Sequence, residues 1–148
     1  MTIYTQVSAR LVRFENKVFG VGVTVTQIVD AERSLGIPIE GAYRSFLMQF
    51  GWGGVEHLEL YGLGKDAPAY LELVAMTQSE RTEMNPRLRP ALLPVMNDGA
   101  GNLYCLDTSV RGEPPVVFWD HTQGTDQVPE LEAADFASWL SGELDSLA

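Results

Sequence analysis

Residues 92–106 decide the fold: Leu92-Leu93-Pro94-Val95-Met96, then Asn97-Asp98-Gly99-Ala100-Gly101, then Asn102-Leu103-Tyr104-Cys105-Leu106. Two apolar runs around a glycine-rich turn predict a β-hairpin, because glycine reaches the positive φ angles that such turns need. Downstream, Val116-Val117-Phe118-Trp119 is introduced by Pro114-Pro115 and ended by Asp120-His121, which predicts another short strand at or near the sheet centre. Upstream, Leu58-Glu59-Leu60-Tyr61-Gly62 alternates, as a strand does when one face is buried and the other wet.

Helical spacing frames these strands. Tyr43, Phe46, Leu47 and Phe50 fall at i, i+3, i+4 and i+7, predicting a helix from about Glu40 to Phe50 closed by Gly51. Before it, Ile28, Ala31 and Leu35 predict a helix capped by Thr26, with Gly36 taking the left-handed C′ position ahead of Ile37-Pro38. Val7, Leu11, Phe14 and Val18 suggest a first helix, although the β-branched residues leave a strand open. Trp52-Gly53-Gly54 is expected as a flexible turn, and Tyr70, Leu73, Val74 and Thr77 return to helical spacing. A last helix is expected from about Ala133 to Leu147, with Phe136, Trp139, Leu140, Leu144 and Leu147 on one stripe. Helices, strand, helix, several strands, helix is not the alternation of a doubly wound sheet. It predicts an α+β fold, a mainly antiparallel sheet backed by helices.

The 148 residues suit a single domain spanning 1–148, with 45% hydrophobic residues enough to build a core. Ten basic residues against 20 acidic ones give a net charge of -10 at pH 7. That field repels phosphate backbones, so nucleic acid is not expected as a direct partner, whereas a basic protein surface would be drawn in faster. Cys105 is the single cysteine, which excludes an intrachain disulfide and makes the reducing cytoplasm the expected compartment. Neither a signal peptide nor a membrane-spanning apolar run is expected from Met1-Thr2-Ile3-Tyr4-Thr5-Gln6 onward.

The order of motifs resembles the SUKH superfamily, the Smi/Knr-like proteins. The resemblance lies in Ile28, Glu32, Leu35-Gly36-Ile37-Pro38, Tyr43, Phe46-Leu47 and Phe50-Gly51 followed by Gly53-Gly54. It continues in Leu92-Leu93-Pro94-Val95, Asp98-Gly99-Ala100-Gly101, Tyr104, Leu106-Asp107, Pro115-Val116-Val117, Trp119-Asp120-His121 and Phe136-Ala137-Ser138-Trp139-Leu140. The matched span is about 25–140. The resemblance implies one α+β domain that serves in bacteria mainly as an immunity protein, binding and neutralising a toxin, often a nuclease. In fungi, similar domains belong to cell-wall and signalling regulators. Many members carry Asn or Asp just before the double glycine, where Trp52 stands here.

Chemistry is sparse. Two histidines, His57 and His121, are too few for a multi-histidine site, and no metal-ligand spacing or phosphate loop is present in the sequence, so neither metal nor cofactor is expected. Asp98 to Asn102 reads as a turn in preference to a cation loop. Asp120-His121 would suit a small hydrolase only if a serine came from elsewhere, and Glu56 and Glu59 flank His57 as a weaker acid-base pair. The expectation is therefore a non-enzymatic protein that binds a cognate toxin with a basic surface. Trp52, expected in an open loop, and the carboxylates Glu56, Glu59, Asp98, Asp120 and Asp126 are its candidate contact residues. The alternative is a regulatory scaffold like the fungal proteins.

Overall fold

The computed structural model describes residues 2–147. The chain runs α1 (Ile3–Leu11), β1 (Lys17–Phe19), α2 (Val25–Leu35), α3 (Gly41–Phe50), β2 (Gly53–Val55), β3 (Leu58–Leu60), α4 (Leu73–Thr82), β4 (Leu92–Asn97), β5 (Leu103–Asp107), β6 (Val116–Trp119), β7 (Glu130–Ala133) and α5 (Phe136–Asp145). The strands form one seven-stranded sheet in sequence order, with every adjacent pair antiparallel. This is the expected α+β class.

The 92–106 hairpin lies at the sheet's middle, where proline is out of place because it cannot donate a ladder hydrogen bond. Pro94 is accommodated by a register shift between Pro94 and Met96. The residue between them, Val95, turns its carbonyl to the neighbouring strand's exit and accepts from the Tyr61 N–H at 2.9 Å. Alternation along β5 sends Leu103 and Cys105 to one face and Tyr104 and Leu106 to the other. Leu103, Cys105, Val117 and Trp119 join Leu88 and Leu92 in a small second core. The larger core lies toward the helices and contains Tyr43, Phe46, Leu93, Leu106 and Phe136.

Motif residues hold loops as well as core. Gly36 adopts φ 71° at the end of α2, as expected. Glu32 reaches past it to accept from the Ile39 N–H at 2.8 Å, fixing the entry to α3. The buried Tyr43 hydroxyl donates to the Tyr61 carbonyl at 2.6 Å, tying α3 to the end of β3. Glu40, at the N-cap of α3, makes no capping bond, and Glu113 from the β5–β6 loop accepts from Ala42 N–H instead, at 3.0 Å. Gly41 leaves room for it, since a Cβ there would come within 2.2 Å of the Glu113 carboxylate. Glu113→Ala is expected to cost about 1 kcal/mol, the usual loss of an N-cap, measured by urea denaturation.

Several boundaries differ from expectation. α1 ends at Leu11, and Val18 lies on edge strand β1, 55% exposed, so its helical spacing is coincidental and its β-branching decides. Thr24, not Thr26, caps α2 through a capping box with Gln27. Gly53 and Gly54 form strand β2 and no flexible turn: a Cβ would lie 2.2 Å from the Phe19 ring at Gly53 and 2.1 Å from the Leu58 carbonyl at Gly54. These glycines allow close strand approach. Glu130–Ala133, just before the expected last helix, adds an edge strand that leaves β6 sixth of seven. α5 then begins at Phe136, capped by Asp135.

Candidate functional site

An antiparallel meander puts alternate connections at the same end of a sheet. Here the α1–β1 loop, the Glu56-His57 turn between β2 and β3, the hairpin tip between β4 and β5, and the β6–β7 connection share one rim. Hydrogen bonds join them. Glu56 N–H donates to the Asn16 carbonyl at 2.9 Å, and Asn102 Oδ1 accepts from His121 N–H at 3.1 Å. The five candidate carboxylates fall here: Glu56, Asp98, Asp120 and Asp126 on the rim, and Glu59 just behind it on β3.

Their geometry separates structural work from free charge. Asp98 Oδ1 accepts from Ala100 N–H at 2.8 Å and Asn102 N–H at 3.1 Å, while Oδ2 accepts from the Asn102 amide at 2.8 Å. It builds the hairpin turn at the tip. Asp120 accepts from the Thr122 hydroxyl at 2.6 Å and the Thr122 N–H at 2.8 Å, and these bonds lower its pKa. The His121 ring contacts Asn102 Oδ1 at 2.7 Å, so Asp120 and His121 do not form an orienting dyad of the kind a hydrolase uses. Asp126 is exposed. Glu56 sits in a positive-φ conformation, 51°, that favours glycine, and Asn16 Nδ2 donates to its carboxylate at 3.3 Å.

Glu59 projects from the wet face of β3, because Leu58 and Leu60 are buried and the side chain between them must point the other way. It stands between two cavities. The first, about 400 Å³, is lined by Glu15, Asn16, Lys17, Val18, Gly54 and Glu56 among others, so three carboxylates meet around the exposed end of β1 and β2. The second lies toward α4, where the Tyr70 hydroxyl donates to Glu59 Oε2 at 2.9 Å.

Trp52 is a correction to the expected site. Its side chain is 7% exposed, and a Cβ on Gly20 would lie 2.2 Å from the indole Nε1, so the main chain at Gly20 covers the ring. It precedes β2 at the end away from the Glu56 turn. Burial and position both remove it from the acidic rim.

Further acidic residues extend the site. Tyr104, Phe118 and Trp139 form an aromatic row, with ring centroids 5.4 Å apart for Tyr104–Phe118 and 5.3 Å for Tyr104–Trp139. Burial raises the Tyr104 pKa, and the charges of Glu143, Glu132 and Asp98 raise it further. Burial also raises the Glu143 pKa, with the charge of Glu132 on β7 adding to the rise and that of His57 on the β2–β3 turn opposing it. Glu132 lies in edge strand β7, just before the expected last helix, in a stretch for which the sequence pattern predicts no strand. Only pairing with β6 reveals it.

Among the described residues, five α-helices against a seven-stranded antiparallel meander define the class, an α+β domain with a carboxylate-rich sheet rim. The chain belongs to the SUKH_5 family, SMI1-KNR4 cell-wall, which it matches over residues 11–145. The match extends beyond the 25–140 expected, taking in β1 and all of α5. The fold is similar to that of a solved protein from Pseudomonas syringae pv. tomato, at 17% identity and TM-score 0.60, covering 80% of this chain and 82% of the other. No curated protein matches the sequence. Among the described residues, no helix is long and apolar enough to cross a membrane.

Proposed function

We propose that this protein is a cytoplasmic immunity protein that neutralises a toxin by stoichiometric binding, without catalysis. The observation that carries the proposal is the convergence of Glu56, Glu59, Asp98, Asp120 and Asp126 on one end of the sheet. Membership of the family supports it. Carboxylates arrayed on turns present negative charge with little side-chain reach, as phosphates do along a backbone. Such an array fits the basic cleft of a nuclease-type toxin and speeds encounter with it.

The test is co-expression with the protein encoded beside this gene, scoring growth and purifying through a tag on either partner. Relief of toxicity together with a co-purified complex is the expected result. A toxic neighbour that is neither relieved nor bound overturns the proposal in favour of a regulatory scaffold like the fungal members.

A further inference from the structure

The second cavity beside Glu59, about 380 Å³, is walled by Tyr61, Tyr70, Met76, Glu80 and Met84. Glu80 is the unusual member. It is half-buried, and among the described residues its carboxylate accepts no hydrogen bond and joins no ion pair; burial alone acts on it, raising its pKa. The adjacent guanidinium of Arg81 gives it nothing, because Arg81 donates to the Leu35 carbonyl at 2.8 Å and to the Pro90 carbonyl at 2.7 Å. A carboxylate drawn partly out of water without a counter-charge is destabilising unless a cation meets it.

The rest of the cavity suits a cation on an apolar stem. Tyr70 and Met84 stay wet, 59% and 48% exposed, although both are large and apolar. Tyr61 forms the floor, 4% exposed, and Glu59 stands at the mouth with one oxygen held by Tyr70. Methionine thioethers and tyrosine rings accept methylene groups and cations together, since both are polarisable and the ring face is negative. A neutral apolar ligand would leave Glu80 uncompensated, and an anion would be repelled by both carboxylates. Resting on the proposal of a basic protein partner, we infer that this cavity receives an arginine or lysine side chain of that partner. Glu80 lies at its depth and Glu59 at its mouth as counter-charges.

The probe is a blocked Gly-Ser-Arg-Ser-Gly peptide, compared with its citrulline analogue, which has the same shape without the charge. Binding is followed by ¹³C-methyl NMR of the full chain at Met76 and Met84. The arginine peptide is expected to shift both methyls in a saturable way and the citrulline peptide to leave them in place. Glu80→Gln and Glu59→Gln should each weaken the arginine peptide about tenfold, the size of one lost charge-assisted contact, while Asp30→Asn on α2, away from both the cavity and the rim, should not. The inference is overturned if the methyls do not move by ~10 mM peptide, if citrulline acts equally, or if Glu80→Gln binds as well as the parent. In the co-purified complex the two proposals separate. A complex that forms and is indifferent to Glu80→Gln removes the cavity and keeps the partner; a toxic neighbour that gives no complex removes the partner, while the peptide result still judges the cavity.

Discussion

Trp52→Ala lowers the unfolding free energy by about 3–5 kcal/mol, the cost of deleting a large aromatic from a packed core, and leaves the association rate of the remaining folded protein unchanged. The ring belongs to the main core cluster. Gly20 and Gly62 both press on this residue: a Cβ would lie 2.2 Å from the indole at Gly20 and 2.7 Å from the Trp52 Cα at Gly62. Gly20 N–H also donates to the Trp52 carbonyl at 3.0 Å. Neighbouring backbone built this closely around a ring cannot collapse into the space it vacates, so the cavity penalty is not relieved. Among the described residues the buried indole N–H has no partner, which already detracts from stability. Trp52→Phe should therefore lose less than its change in volume suggests. Urea denaturation of both variants, with association kinetics measured below their unfolding midpoints, checks the result. A stable Trp52→Ala protein that binds more slowly would restore Trp52 to the contact face.

Trp52 also shows where sequence stops being informative. A large ring between Gly51 and Gly53-Gly54 has the local signature of an open loop, and the glycines are the misleading element. Glycine permits unusual backbone angles and also close approach of two chains, and only the tertiary partner distinguishes these uses. At Gly53 the partner is Phe19, 34 positions earlier in the chain. The Asp98-Gly99-Ala100-Gly101 turn was legible because its hydrogen bonds close within five residues. So was α3, whose apolar stripe marks one face. β7 was not, because Glu130-Leu131-Glu132-Ala133 has poor strand propensity and forms through its pairing with β6. An acidic edge strand has a benefit the local pattern does not announce: charge discourages pairing with another chain.

The candidate site divides in the same way. The types of its residues were visible as an excess of acid, and several individual carboxylates were visible through their turns. What joins them is the alternation of connections in a meander, a property of topology that exists only once strand order is known. Glu80 illustrates the opposite limit. In sequence it is one more acidic residue on a solvated helix, and its interest arises entirely from partial burial without a counter-charge.

Reversing Glu56 and Glu59 together to lysine is expected to slow association with the basic partner about 10- to 100-fold at low salt, within the range attributed to electrostatic steering. The two side chains line the same cavity and lie at the rim where four connections meet, so their field adds to that of Asp98 and Asp120 at the surface first encountered. Stopped-flow association across ionic strength is the measurement. At 0.1 M salt the screening length is about 10 Å, and at 1 M about 3 Å, so the parent and the double variant should converge as salt rises. The control is an equal change of charge away from the rim, Asp30→Lys with Asp66→Lys, since Asp30 lies on α2 and Asp66 between β3 and α4. If steering comes from the whole protein's net charge of -10, both double variants slow association equally and the rim has no special place. If it comes from the arrangement of turns, the rim variant alone loses rate. Its dissociation rate then reports separately on the cavity that Glu59 shares with Glu80, because a steering charge acts mainly before contact and a counter-charge in a desolvated cavity acts after it.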